Sequence, residues 1–185
     1  IEMRIGYAES QWVRHVIHEG EQSMTAVPGD FTGDGLPDVI SDSGGMTRLF
    51  VAPDWHEVVL DEHPEFNWYI HSEFFDIDND GDLDYVAARY NPGLVIWLEQ
   101  PASGQTQRWN KHLIDDTIHG IHGLMKGDIE NDGHLELFAT SAQPKEPYPE
   151  SLVWFAVPEN PRQAAQWQPN VFADRDAPGL IHYLG

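Results

Sequence analysis

Residues 76–84, Asp76-Ile-Asp-Asn-Asp-Gly-Asp-Leu-Asp84, place five carboxylates in nine positions and lead directly into an apolar run at residues 85–88. Two carboxylates about 4 Å apart repel each other by roughly 4 kcal/mol at an effective dielectric constant of about 20, so a loop that gathers several of them needs a counter-ion. All the side-chain donors are oxygens and the chain has no Cys, which favours calcium over softer metals.

The same nine-residue pattern occurs three times, at residues 30–38, 76–84 and 128–136. Each copy has Asp at positions 1 and 5, Gly at position 6, and Asp or Glu at position 9. The EF-hand is excluded because its loop closes with Glu at position 12, where this chain has Ser41, Ala87 and Ala139. The apolar residues after each copy are typical of a strand, so the loop joins two strands.

A different interpretation applies to any one copy taken alone. A single cluster of Asp, Asn and Gly more often forms an ordinary turn, in which the side chain bonds to nearby backbone, than a metal site. Three copies in one register favour calcium over three unrelated turns.

With a strand after each copy, the repeated pattern resembles the FG-GAP and VCBS repeats of calcium-binding β-propellers, and the resemblance covers nearly the whole chain. It implies a Ca²⁺ site in each loop, with side-chain ligands at positions 1, 3, 5 and 9 and a backbone carbonyl at position 7. The implied ligands are Asp30, Thr32, Asp34, the Leu36 carbonyl and Asp38; Asp76, Asp78, Asp80, the Asp82 carbonyl and Asp84; and Asp128, Glu130, Asp132, the His134 carbonyl and Glu136. Because Thr32 is neutral, the first site is expected to be the weakest.

Two further patterns recur between the acidic loops. The first is an apolar run that ends at a Pro turn. The second is Trp, then three residues of any type, then two apolar residues, and it starts at Trp12, Trp55, Trp109 and Trp167. The repeat is therefore four strands in about 46 to 60 residues, which predicts an all-β fold, a β-propeller built of four-stranded antiparallel blades. We expect the Trp side chains to pack between blades, with sugar stacking as the alternative.

The predicted blade boundaries are 22–61, 69–115 and 118–173. Residues 1–18 supply two outer strands of a shared blade, and residues 179–185 start the next blade. Residues 1–185 thus form one partial propeller domain of about three and a half blades. Family analogy implies a seven-bladed ring, completed by further residues in cis or by self-association.

The net charge of -21 excludes nucleic acid and anionic membrane surfaces as partners, because both would be repelled. No apolar run reaches transmembrane length, so membrane insertion is not expected.

Three histidines fall shortly before an observed or expected acidic loop, on the strand that lines the central channel: His71, His122 and His182. They are predicted to converge on a small ligand or another divalent metal, with Glu73 as a base. The alternative is that each histidine is a hydrogen-bonded core residue.

Three functions are compatible with these patterns. The first is a calcium-stabilised extracellular or periplasmic scaffold that binds a carbohydrate or protein ligand. The second is the propeller module of a sugar-active enzyme, a dehydratase or polysaccharide lyase with a His-lined central site, since the Trp and Pro motifs are loosely similar to those of aldos-2-ulose dehydratases. The third is a structural repeat of a large surface protein. No nucleophile elbow, phosphate loop or His-Glu-x-x-His motif is present.

Overall fold

The computed structural model describes residues 14–20, 22–66, 68–102 and 108–175. In these ranges the chain forms twelve β-strands and one short 3-10 helix, Pro161–Gln163. The strands make three four-stranded sheets, in each of which the strands lie in chain order. The fold is all-β, as predicted, and the sheets are consistent with successive blades of a propeller.

Each sheet is an antiparallel meander, and we number the sheets as blades 1 to 3. Blade 1 contains β1 (Ser23–Gly29), β2 (Asp38–Ser43), β3 (Met46–Val51) and β4 (His56–Glu62). Blade 2 contains β5 (His71–Phe75), β6 (Asp84–Arg89), β7 (Leu94–Glu99) and β8 (Asn110–Asp115). Blade 3 contains β9 (Ile121–Gly127), β10 (Glu136–Ser141), β11 (Leu152–Phe155) and β12 (Pro169–Ala173).

The core lies between the blades rather than within one of them. One buried cluster joins blades 2 and 3 and includes Trp97, Leu137 and Phe155. A second joins blades 1 and 2 and includes Leu49 and Tyr85. Blade 2 is packed on both faces, so all six residues of β6 are buried. The apolar run at residues 85–88 is continuous rather than alternating for this reason.

The Trp residues before β8 and β12 pack between blades, as predicted. Trp109 is 4% exposed and Trp167 is 2% exposed. The backbone N–H of Trp109 donates to the Leu60 carbonyl of blade 1 at 3.1 Å, and that of Trp167 donates to the Ile114 carbonyl of blade 2 at 2.9 Å. These bonds link the residue before β8 to β4 of blade 1, and the residue before β12 to β8 of blade 2.

The strand predicted at residues 12–17 is not formed in its described part. Residues 14–19 pair with no strand, and the ring of His18 packs 5.1 Å from that of Phe50. A strand requires a partner with which to exchange backbone hydrogen bonds. Residues 1–13, which include the other outer strand predicted for this blade, lie outside the described residues, as do residues 179–185, the predicted inner strand.

Across the described ranges, we find no helix with the length and hydropathy needed to cross a membrane.

Candidate metal centre

The three acidic loops share one pattern of hydrogen bonds. The carboxylate at position 1 accepts from the backbone N–H groups of positions 5 and 6, and the carboxylate at position 5 accepts from that of position 7. In the second loop, Asp76 accepts from Asp80 at 3.1 Å and from Gly81 at 3.0 Å, and Asp80 accepts from Asp82 at 3.1 Å. The equivalent distances in the other two loops lie between 2.8 and 3.0 Å.

Two positions in each loop have left-handed backbone, which explains why Gly and Asn recur there. Position 4 has φ values of 70°, 61° and 54° at Gly33, Asn79 and Asn131. Position 6 has φ values of 85°, 95° and 89° at Gly35, Gly81 and Gly133. Other L-residues adopt this conformation at a cost of roughly 1–2 kcal/mol, so the recurring residues let the loop fold without strain.

The carboxylate at position 9 is the first residue of the strand after the loop and is buried. Asp84 is 1% exposed. Its Oδ2 accepts from the backbone N–H of Ile77 at 3.0 Å, and its Oδ1 accepts from that of Gln100 at 2.9 Å. Burial raises the pKa of Asp84 to about 8. A bound cation would favour the ionised form and relieve this cost.

The second loop brings three of its predicted ligands together. Oxygen atoms of Asp76, Asp78 and Asp84 lie within 4.8 Å of one another. The side chain of Asp78 is 3% exposed, and its Oδ1 has no hydrogen-bond partner. Burial and then the charge of Asp80 raise the pKa of Asp78. A buried carboxylate oxygen without a partner is costly. The clustered oxygens are the donors that a hard cation prefers, and a bound cation would pair with the free oxygen of Asp78.

An arginine from the next blade enters the second loop. Nη2 of Arg162 lies 2.6 Å from Oδ2 of Asp78 and 2.7 Å from Oδ2 of Asp80. Its Nε lies 2.7 Å from Oε1 of Glu99 on β7. Burial alone would raise the pKa of Glu99, but hydrogen bonds from His112 and Arg162 lower it. Arg162 therefore links blade 3 to the acidic loop of blade 2 and neutralises part of its charge.

The first and third loops hold their carboxylates further apart. Asp76, Asp78 and Asp84 are the one group of three or more His, Asp or Glu side chains with ligand atoms this close among the described residues. In the first loop, Oγ1 of Thr32 is buried without a hydrogen-bond partner. In the third loop, Glu130 is exposed. Calcium ligation by all three loops, and by the three position-7 carbonyls, stays a prediction.

The structure brings two of the three predicted histidines together. The rings of His71 and His122 have centroids 5.7 Å apart, at the boundary between blades 2 and 3, and Tyr90 lies 6.0 Å from His122. Burial, and then the charge of His122, lower the pKa of His71. Glu73 lies 3.6 Å from Nζ of Lys126, and burial raises its pKa. His182 lies outside the described residues.

Sequence reasoning missed Arg162 altogether. It stands in the connection between β11 and β12, 82 residues from Asp80 along the chain, and no local pattern marks it. Only the packing of blade 3 against blade 2 places it in the second loop.

Residues 76–139 match the model of a family described as FG-GAP-like repeat. This stretch runs from the start of the second acidic loop through the third loop to β10. No curated protein matches the chain. The family match and the three four-stranded sheets support the predicted repeat architecture.

Proposed function

We propose that this protein is a calcium-stabilised, propeller-type binding scaffold that works in an extracellular or periplasmic setting. The observation that carries the proposal is the second loop, where the buried Oδ1 of Asp78 lies without a donor beside Asp76 and Asp84. Asp76, Asp78 and Asp84 would hold the ion there. A bound Ca²⁺ would offset the negative charge of these three carboxylates.

The other two loops support the proposal through their shared fold. Their backbone hydrogen bonds repeat those of the second loop, so they would hold further ions in the same manner. Extracellular modules bind calcium with dissociation constants of about 10⁻⁴ to 10⁻³ M, which fits a setting where calcium is plentiful.

The scaffold role follows from how the blades are built. The two inter-blade cores occupy both faces of blade 2 and one face each of blades 1 and 3, and the loops at the strand ends remain free to contact a partner. A rigid framework that displays loops is a common way to bind a carbohydrate or a protein. The high negative charge makes nucleic acid an unsuitable partner.

Calorimetric titration of the EGTA-treated protein with CaCl₂ tests the proposal. The same titration measures how Arg162 affects the calcium affinity of the second loop. Arg162→Gln is expected to tighten calcium binding at the second loop roughly three- to tenfold, because the guanidinium occupies Asp78 and Asp80. The gain is modest because Arg162 is 46% exposed and its ion pairs are screened by solvent.

Arg175→Gln is the matched control, since Arg175 pairs with Glu146 away from the acidic loops. It removes the same charge and should leave calcium binding unchanged. Equal affinities in all three proteins would show that Arg162 does not compete with the ion. Absence of any heat of binding would remove the calcium role itself.

A second candidate is a sugar-active enzyme module, favoured by the contact between His71 and His122. Two imidazoles at this distance could share another divalent metal or hydrogen-bond a sugar, and Glu73 could serve as a base once freed from Lys126. The third candidate, a structural repeat of a large surface protein, needs neither the histidines nor a ligand.

A further inference from the structure

Arg89, the last residue of β6, is a buried cation without an acceptor. Arg89 is 3% exposed. None of its three nitrogens, Nε, Nη1 and Nη2, has a hydrogen-bond partner among the described residues. Arginine is almost never fully buried unless it is paired, because each lost hydrogen bond to water must be replaced. The unpaired guanidinium therefore requires an explanation.

Two aromatic rings cover the faces of the guanidinium but not its N–H groups. Cζ of Arg89 lies 3.5 Å from the centroid of the Phe66 ring and 4.8 Å from that of the Tyr69 ring. Such contacts stabilise a desolvated cation. They leave the edge of the guanidinium, where all its hydrogens point, without acceptors. Burial accordingly lowers the pKa of Arg89.

The nearest buried carboxylates are committed to other donors. Asp42 accepts from Nε2 of His63 and from Oγ1 of Thr47, both at 2.8 Å, and from the backbone N–H of Tyr69 at 2.7 Å. Asp61 pairs with Nζ of Lys111 at 2.5 Å. Asp42 is therefore satisfied by donors other than Arg89. Asp61 is ion-paired with Lys111, and although its Oδ2 makes no hydrogen bond, it does not accept from Arg89 either. The N–H groups of the guanidinium thus remain available for an acceptor from outside the described protein.

Arg89 also lines two neighbouring cavities of about 380 and 330 Å³, which share Glu65 and Phe66 as walls. The larger cavity adds Trp68, which is 38% exposed, and Tyr90. Both cavities lie at the end of β6 opposite Asp84, so they are on the other side of the blades from the acidic loops. The walls combine aromatic rings with Arg89 and, in the smaller cavity, Lys111, while Glu65 adds one carboxylate to both. Rings with a few convergent polar groups are typical of small-ligand sites, and the two cations favour an acidic ligand.

We propose that Arg89 anchors a binding site for a small carboxylate ligand in these cavities. The planar carboxylate would receive two parallel N–H bonds from the guanidinium, which is the geometry that favours Arg over Lys. A sugar or aromatic ring attached to the carboxylate would lie against Trp68. Entry requires the Phe66 side chain to rotate, because its ring lies over the guanidinium.

This inference deepens the binding role proposed above and rests on it, although it does not depend on calcium. Two ligand sources share the chemistry: uronic acids, which carry a carboxylate on a hydroxylated ring, and aromatic acids, which carry it on a flat ring. Sodium glucuronate and sodium benzoate are therefore the probes. Glucose is the neutral match for glucuronate.

Calorimetric titration of the calcium-loaded protein tests the site. At least one of the two carboxylates is expected to bind in a 1:1 ratio below about 10 mM, with glucose at least about tenfold weaker. Arg89→Gln should weaken carboxylate binding by about ten- to hundredfold, while Arg175→Gln, which removes an exposed cation, should leave it unchanged. Glu65→Gln should strengthen binding, because Glu65 is a negative charge on the cavity wall.

A melting experiment separates binding from a structural role for Arg89. Because its nitrogens bond to nothing in the described protein, and because Met keeps an apolar side chain against Phe66 and Tyr69, Arg89→Met should melt at or above the temperature of the parent protein. A lower melting temperature for both Arg89→Met and Glu65→Gln would show that the guanidinium is paired with Glu65 within the fold, and would overturn the proposal. Failure of both carboxylates to bind, or binding that survives Arg89→Gln, would also overturn it. Unchanged calcium binding in these variants would leave the scaffold proposal intact.

Discussion

Replacing Asp84 by Ala is expected to abolish calcium binding at the second loop and to lower the free energy of unfolding by about 2–5 kcal/mol even without calcium. The loss without calcium arises because the backbone N–H groups of Ile77 and Gln100 lose their shared acceptor. Each buried donor left unpaired costs about 1–3 kcal/mol. The loss of binding arises because Asp84 is one of the three clustered carboxylates.

Urea unfolding in EGTA and in excess calcium measures both effects. Asp82→Ala is the matched control in the same loop, because position 7 is predicted to offer only its carbonyl. It should change the free energy of unfolding by no more than about 0.5 kcal/mol in EGTA. The account would be contradicted if Asp84→Ala had the parent's free energy of unfolding in EGTA and the parent's increase in that free energy on adding calcium. Asp84 would then neither bind the metal nor stabilise the loop.

Replacing Trp97 by Ala is expected to lower the free energy of unfolding by about 3–5 kcal/mol, with or without calcium. Trp97 is fully buried in the core between blades 2 and 3, and its ring stacks on that of His112 with centroids 4.4 Å apart. Removing the indole leaves a cavity between two packed sheets. Such a cavity collapses only in part, so the cost exceeds the loss of apolar burial alone.

The control for Trp97 is Phe172→Ala on β12, since Phe172 is 61% exposed. It removes a large aromatic ring that the core does not use, and the expected change is within about 0.5 kcal/mol. Denaturant midpoints of the two variants should therefore differ clearly. Equal midpoints would show that the blades do not share a cooperative core.

The repeat could be predicted from the sequence because its signals are local. The acidic loop is set by Gly at position 6 and by Asp side chains that bond to backbone two to five residues away, as at Asp76 and Asp80. The strands follow from apolar runs between turns. The inter-blade role of Trp109 and Trp167 could be predicted because both recur at one place in the repeat.

The contacts between blades could not be predicted in the same way. Arg162 reaches the second loop, and Arg89 meets Phe66 and Tyr69, only after the sheets are packed. Among the described residues, the second loop gathers three carboxylates within 4.8 Å, at positions 1, 3 and 9, whereas position 3 is Thr32 in the first loop and Glu130 in the third. The sequence shows this difference at position 3, but the pairing of Arg162 with Asp78 and Asp80 appears only in the packed structure.

Thermal unfolding in excess CaCl₂ and in EGTA tests the central claim, that calcium in the acidic loops stabilises the blades. A site with a dissociation constant one-hundredth of the calcium concentration stabilises the folded state by about 2.7 kcal/mol. For a chain of this size we expect calcium to raise the melting temperature by about 5–10 °C for each such site. Magnesium at the same concentration should do less, because it demands a small octahedral site. Superimposable melting curves in CaCl₂ and EGTA would contradict the account and leave the acidic loops as turns.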